Sequence, residues 1–481
     1  MTEQSTPVTD VIVIGAGPVG ENVADRVVQG GLTATIVEHE LVGGECSYWA
    51  CMPTKALLRP GAALAAARRV PGAAEAVTAP VNRAAALARR DDAAANWSDE
   101  DQVDWARDAG IALVRGHGSL VGERRVRVVG ANGTAQELTA RHAVVVATGS
   151  VPRIPDVPGL AEAKPWTSRE AASVDEIPEH LVILGGGPVA AEFATAFRSL
   201  GARVTLIARG ALLGGFEPFA GELIAEQLRE AGAELLLGET VTRVTRTPDG
   251  VLVETSRGRT VTGTELLVAM GRLPATGGLG LDELGMLDGE ADTLGTDATL
   301  RVPGSDWLYA VGDVNGRAPL THHGKYQARA AGEAIVARAT GARVDDGPWG
   351  VHAATADELA RTQVVFTDPE IASVGLTAER AESAAPGTFR VVDASFDSVA
   401  GAGLHAEGFA GQARLIVDEA TDTLLGATFV GQDVAELAQS AAIAIAGQVP
   451  LRRLWHAVPA YPTLSEIWLR LLEADGRPDP A

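Results

Sequence analysis

Short apolar runs that break at glycines, each followed by a stretch of helical spacing, organise this chain. Val11-Ile12-Val13-Ile14 is an uninterrupted apolar run of the kind a buried parallel strand shows. It enters Gly15-Ala16-Gly17-Pro18-Val19-Gly20, then a helical stretch, then a second apolar run ending at Ile36-Val37-Glu38. The pattern returns 170 positions later. Leu181-Val182-Ile183-Leu184 precedes Gly185-Gly186-Gly187-Pro188-Val189-Ala190, a helical stretch, and Val204-Thr205-Leu206-Ile207-Ala208-Arg209. Two copies of this strand–loop–helix–strand frame predict an α/β fold with two Rossmann-like dinucleotide-binding domains. The first glycine permits the tight turn and the second lets the backbone approach a pyrophosphate. The third position, Gly20 or Ala190, must be small so that the helix packs on the strand. Each helix N-terminus then faces the phosphates.

The repeat also separates the two sites. Glu38 lies 23 residues after Gly15, where a carboxylate accepts hydrogen bonds from a ribose 2′-hydroxyl. The equivalent position after Gly185 is Ala208, with Arg209 beside it. Loss of the acid and gain of a cation suit a 2′-phosphate, which favours NADPH over NADH at the second site. A solvated surface role for Arg209 is the alternative.

The only two cysteines of the 481 residues, Cys46 and Cys51, sit just behind the first glycine loop. Sulfurs this close in sequence suit a dithiol–disulfide cycle; two buried, inert cysteines are the rival reading. Pro53 in a first turn predicts a helix start that puts Cys51 at a helix N-terminus, where a thiolate is favoured. Apolar residues at 46% and charged residues at 21% describe a globular chain of about three domains. The net charge of −22 argues against nucleic acid or an anionic membrane surface as a partner. Met1 to Asp10 carries no signal pattern, and no apolar run is long enough to span a bilayer. A cytoplasmic location is expected, where a close cysteine pair is more often catalytic than structural.

Taken together, these motifs resemble the pyridine nucleotide–disulfide oxidoreductases, a family that includes dihydrolipoamide dehydrogenase, glutathione reductase and mercuric reductase. The first repeat with Glu38 is similar to the family's FAD adenosine site, and Cys46/Cys51 match its CxxxxC redox disulfide. Ala147-Thr148-Gly149 and Ala269-Met270-Gly271-Arg272 resemble its two connecting strands. Tyr309-Ala310-Val311-Gly312-Asp313 resembles its second FAD motif, whose aspartate binds the ribityl chain. Phe366-Thr367-Asp368-Pro369-Glu370 through Val374-Gly375-Leu376-Thr377 looks like the start of its interface domain. The resemblance implies an FAD-binding domain in residues 1–150, an NAD(P)-binding domain in 151–275, a central segment completing the FAD domain in 276–345, and a C-terminal α+β dimerisation domain in 346–481. Gly15, Gly17, Gly20, Glu38, Lys55, Gly149, Gly312 and Asp313 would serve FAD. Gly185, Gly187, Ala190, Arg209 and Gly271 would serve NAD(P)H. No resident metal is expected.

The resemblance implies a homodimer whose active site is shared across the interface. Electrons would pass from NAD(P)H through FAD to the Cys46–Cys51 disulfide and on to a small or protein disulfide or another electrophile. Cys51 takes the flavin-side role, Cys46 the interchange role, and Lys55 and Glu192 match a pair the family places beside the flavin. A flavin-driven quinone or dye reductase and a redox-sensing flavoprotein are the competing readings.

The chain departs from the pattern at its C-terminal end. Where the family's disulfide reductases read His-Pro-Thr-x-x-Glu, this chain has Tyr461-Pro462-Thr463-Leu464-Ser465-Glu466. A phenol titrates near about 10 and an imidazole near about 6.5, so the usual proton acceptor is replaced by a group that holds its proton at neutral pH. His456 is a candidate substitute. Mercury reduction is not expected, because no further cysteine stands in Glu473–Ala481 to deliver the metal. Tyr48 and Trp49 between the cysteines are expected either to narrow the disulfide's approach, to offer a stacking face, or simply to pack. Glu45 stands where relatives carry threonine, and its carboxylate would raise the pKa of a neighbouring thiol. His322 and His323 are expected near the flavin edge or in solvent.

Overall fold

The computed structural model describes residues 8–287 and 293–477. The polar start read at Met1–Asp10 and the tail to Ala481 therefore lie partly outside the described residues. The first repeat forms strand β1 (Val8–Ile14), helix α1 (Pro18–Gln29) and strand β2 (Ala34–Glu38). A short helix α2 (Gly44–Tyr48) carries Cys46, and Cys51 opens helix α3 (Cys51–Arg68). The second repeat forms strand β3 (His180–Leu184), helix α4 (Pro188–Ser199) and strand β4 (Arg203–Ala208). Helix α5 (Thr321–Thr340) is the longest helix that bears on the site.

The chain divides into two compact units. The first comprises Met1–Met52, Ala94–Val151 and Arg272–Glu358. Its seven-stranded sheet has β1 parallel to both β2 (Val11 opposite Ala34) and the strand Ala135–Val146 (Ile12 opposite Val144). The strand Leu308–Ala310 adds to the far side of Ala135–Val146, with Leu308 opposite Val144. The late segment thus completes the early sheet. Apolar faces on both sides of these strands are buried, as parallel pairing requires.

The second unit comprises Pro53–Ala93, Pro152–Gly271 and Leu359–Ala481. It holds a four-stranded parallel sheet centred on β3 and β4 and a three-stranded antiparallel sheet. A five-stranded antiparallel sheet follows, running from Thr362–Val365 to Phe389–Ser395. Residues 53–93, expected with the first dinucleotide-binding segment, group here instead. Leu57, Leu58 and Ala86 share one buried cluster with Ala196 and Leu200, and fully buried Arg90 donates to the Ala172 carbonyl at 2.8 Å. Residues 346–358, expected in the C-terminal domain, group with the first unit. Val365, Ile371 and Val430 of the C-terminal sheet pack in one core with Phe193 and Leu206.

Candidate active site

In the first unit, Cys46 and Cys51 are both half-buried and converge on one hydroxyl. Thr321 Oγ1 donates to Cys46 Sγ at 3.2 Å and lies 3.4 Å from Cys51 Sγ. Thr321 is the first residue of α5, and no side chain caps that helix, so its hydroxyl is directed at the sulfurs rather than at the helix backbone. The positive end of the helix and a hydroxyl donor both favour negative charge on sulfur.

The turn bearing Cys46 is seated on the glycine loop. Gly43 N–H donates to Ala16 O at 2.7 Å, and a Cβ at Gly44 would come within 2.8 Å of Gly17 Cα. Tyr48 is fully buried, and its hydroxyl donates to the carbonyls of Val42 at 2.9 Å and Ser98 at 3.2 Å. Burial pushes its phenol up to about 12, with Asp99 and Glu21 adding to the shift. Of the three roles open to Tyr48 in the sequence, packing is the one it fills; it offers no face to a substrate. Trp49 is half-buried beside it, ring centroids 5.5 Å apart.

Glu45 does not face Cys46 as an isolated charge. Its Oε2 receives a hydrogen bond from Arg272 Nη2. Arg272 also donates to Ser150 Oγ at 2.7 Å and Ser150 O at 2.6 Å, and Ser150 Oγ donates to Asp313 Oδ2 at 2.6 Å. The carboxylate expected beside the thiol is thus paired with a guanidinium. His322 is exposed, whereas His323 is buried and bonds through Nδ1 to Asp357 Oδ1 at 2.9 Å. The buried Asp357 also receives Gln327 Nε2 at 2.8 Å, and Gln327 Oε1 in turn accepts from Gly312 N–H at 2.8 Å. His323 therefore does not lie in solvent; it belongs to a buried network that reaches the Gly312–Asp313 turn.

In the second unit, Lys55 Nζ meets Glu192 Oε2 at 2.7 Å. Glu192 is buried on α4, and its Oε1 accepts the Phe366 N–H at 3.0 Å, while Lys55 Nζ lies 5.1 Å from the Phe366 ring centroid. Ala208 is buried at the end of β4, and Arg209 beyond it is exposed. Gly271 O accepts from Arg153 N–H at 3.0 Å. Tyr461 is 78% exposed, so its phenol reaches solvent freely. Glu466 is buried and accepts the N–H groups of Gly401 at 3.1 Å and Thr463 at 3.0 Å, both at Oε1. Tyr461 and Glu466 are not hydrogen-bonded to each other among the described residues, and His456 is exposed.

A family model described as pyridine nucleotide-disulphide oxidoreductase matches residues 9–328, and that family's dimerisation domain matches residues 362–471. The chain belongs to the pyridine nucleotide-disulphide oxidoreductases. It is 32% identical over 482 residues to a dihydrolipoyl dehydrogenase of Haloferax volcanii, covering 97% of this chain and 96% of that protein. It is 27% identical to a mercuric reductase of Staphylococcus aureus, covering 95% of this chain and 80% of that protein. The crystal structure of LpdA from Mycobacterium tuberculosis superposes with a TM-score of 0.80 at 27% identity, covering 97% of this chain and 98% of that one. Members of this family bind FAD and use NAD(P)H, and this chain is accordingly a flavin-dependent pyridine nucleotide–disulfide oxidoreductase.

The residues present in this oxidoreductase fit both dinucleotides. Gly15 has φ +101°, and a Cβ there would lie 2.5 Å from Ala147 O, so the turn admits no side chain. Gly17 is the cap of α1 without any side-chain cap bond, and a Cβ there would meet nothing within 4 Å. The first-turn N–H groups are thus open to a phosphate. Gly187 caps α4 in the same way. Gly20 and Ala190 are both buried at the third position of their loops. Burial raises the Glu38 carboxyl, but hydrogen bonds from His39 and from the N–H groups of Ala16 and Glu40 outweigh it and hold the group below its usual range. The ionised carboxylate keeps further lone pairs for a ribose hydroxyl. Ala275 N–H donates to Gly149 O at 3.0 Å, fixing the return of the chain beside Asp313's partner Ser150.

Sequence reasoning missed Thr321, Ser150, Phe366 and Asp357. Thr321 lies 275 residues from Cys46, and nothing in its local sequence marks it as a partner of sulfur. Arg272 stood inside a recognised motif, but its pairing with Glu45 depends on side-chain direction.

Proposed function

We propose that this chain is an NADPH-dependent disulfide reductase in which Cys46 and Cys51 form the redox-active pair. The observation that carries the reading is the convergence of both sulfurs on the Thr321 hydroxyl at the N-terminus of α5. FAD, held by Gly15, Gly17, Glu38 and Asp313, would supply two-electron transfer from NAD(P)H to a disulfide. The protein's own residues do the rest. The Cys46 thiolate attacks one sulfur of the acceptor disulfide, forming a mixed disulfide and releasing the other half as thiolate. Cys51 then attacks Cys46, which restores the Cys46–Cys51 bond and releases the second thiolate. Two electrons leave the cysteine pair, and two protons from solvent neutralise the products.

Lys55 held by Glu192, Glu38 toward the adenosine ribose and Asp313 toward the ribityl chain supply the positioning. Exposed Arg209 beyond Ala208 supports NADPH over NADH. Tyr461 in place of histidine supports reduction of an acceptor over oxidation of an incoming dithiol, because a neutral phenol is a poor base at pH 7. Two chains would pair through the dimerisation domain and share the site. The 84% exposure of Val458 near Tyr461 supports this, since a partner would cover it.

The test is anaerobic reduction with NADPH. A long-wavelength absorption band should appear, vanish in Cys51→Ser and persist in Cys46→Ser. Absence of the band in the wild type would remove the disulfide relay. Quinone reduction undiminished in the double serine variant would assign the activity to the flavin alone.

A further inference from the structure

The carboxylate beside Cys46 has an electrostatic problem to solve. Glu45 and Cys46 are neighbours on α2, a turn held in place by the Gly43 N–H to Ala16 O bond and by the contact of Gly44 with Gly17. An unpaired carboxylate at that position would disfavour the thiolate that Cys46 needs for attack. Arg272 answers it from one side. Its Nη2 reaches both Glu45 Oε2 and Ser150 O, and its Nε is fixed by Ser150 Oγ, which is itself locked to Asp313. The guanidinium is therefore held by acceptor atoms of both Glu45 and Ser150 and is not a loose surface charge. The Glu45 and Arg272 side chains are each 30% exposed, so solvent screens the pair only in part.

We propose that Arg272 is a positioning residue for Cys46: it draws the Glu45 carboxylate off the sulfur and neutralises it, which keeps the Cys46 thiolate accessible at neutral pH. The assignment rests on the interchange role given to Cys46 above. Thr321 from α5 also faces Cys46 and meets Cys51 from α3, with His322 next along α5, and Asp313 acts on Arg272 through Ser150. The Arg272–Glu45 contact ties the redox turn to the residues around Asp313, so the charge at Cys46 is set by the same loop that would hold the ribityl chain.

The test is the pH dependence of iodoacetamide alkylation at Cys46, read by mass spectrometry on flavin-loaded protein reduced with a phosphine. Arg272→Met removes the guanidinium that faces Glu45 and keeps the carboxyl group, and should raise the alkylation midpoint by about one unit, making the reaction about tenfold slower at pH 7. Glu45→Gln keeps an oxygen for Arg272 but removes the negative charge, and should lower the midpoint. The double variant should return close to wild type. Opposite signs for the two single variants are the signature, because mere loosening of α2 would move both the same way. Shifts of one sign, or no shift in either, overturn the proposal. If Arg272→Met loses its flavin or fails to fold, Glu45→Gln decides alone: an unchanged or raised midpoint overturns it. The phosphine makes the measurement independent of NADPH, so a missing long-wavelength band would count against the relay and not against this pairing.

Discussion

Replacing Thr321 by valine removes one hydroxyl and keeps the shape of the side chain. That hydroxyl lies 3.2 Å from Cys46 Sγ and 3.4 Å from Cys51 Sγ, and it serves no helix-capping bond, so the change falls on the sulfurs. A hydrogen bond to a charged group contributes about 1.5–3 kcal/mol net. Sulfur is a weak acceptor, these contacts are long and both cysteines are half-buried, which brings the expected loss to about 1–1.5 kcal/mol. At about 1.4 kcal/mol per pKa unit, the thiolate that accepts this bond should become about one unit harder to form. The sign follows from the charge: a donor stabilises the thiolate, so losing it raises the pKa and lowers the thiolate fraction at neutral pH. The N-terminal dipole of α5 survives in the variant and limits the effect to that size. The assay follows both sulfurs in reduced protein, with the pH dependence of iodoacetamide alkylation for Cys46 and a pH titration of the long-wavelength band for Cys51. Thr321→Ser should titrate like wild type and Thr321→Val about one unit higher. An unchanged midpoint in Thr321→Val, or a lower one, would refute the idea that this hydroxyl stabilises the reduced pair.

Three further outcomes are expected. Glu370 in the second unit is pushed up to about 7 by burial, against the Ala435 N–H and with Asp433 and Asp368 adding. Between its ordinary value of 4.5 and about 7 the folded chain holds a proton that the unfolded chain has released, so this group's contribution to stability falls as pH rises through that window and is flat above it. Discounted for partial exposure, the loss is about 1–2 kcal/mol, so Glu370→Gln should match wild type at pH 4.5 and exceed it by that amount at pH 8 in urea unfolding; an equal difference at both pH values would contradict this. Arg209→Ala should raise the KM for NADPH about tenfold and leave that for NADH nearly unchanged, as loss of one phosphate contact implies, and equal effects on both would assign Arg209 to the solvent. Tyr461→His should speed dihydrolipoamide oxidation at least about tenfold, the lower range for an added general base, because Glu466 uses Oε1 for its two backbone bonds and leaves Oε2 to orient an imidazole; steady-state kinetics showing no gain would place the proton transfer elsewhere.

What the sequence made legible follows from how local each feature is. The two glycine loops, their flanking strands and the helix opening at Cys51 depend on short-range backbone rules, and periodicity with glycine spacing was enough to find them. The grouping of residues 53–93 was not legible, because it turns on whether Leu57 and Arg90 pack toward one core or another. Packing was one of three roles left open for Tyr48, because an aromatic between two cysteines has no sequence mark of burial. The neutralisation of Glu45 by Arg272 joins residues 227 apart and is decided by rotamers that periodicity does not encode. Asp357 carries no mark in its local sequence, yet it anchors His323 and Gln327 from a fully buried position.

The anchoring of Tyr48 bears on how readily the cysteine pair closes. Four residues separate Cys46 from Cys51, and in a flexible loop their sulfurs would meet only after a conformational search whose entropy must be recovered at each cycle. Here Ser47 and Tyr48 are wound into α2, which is pinned through a buried phenol to the carbonyls of Val42 and Ser98. The high phenol pKa means that the pin stays protonated, and so stays a donor, across the whole physiological range. In the proposed cycle this anchored turn would hold the two sulfurs at a high effective concentration, so that closing the disulfide would need little backbone search.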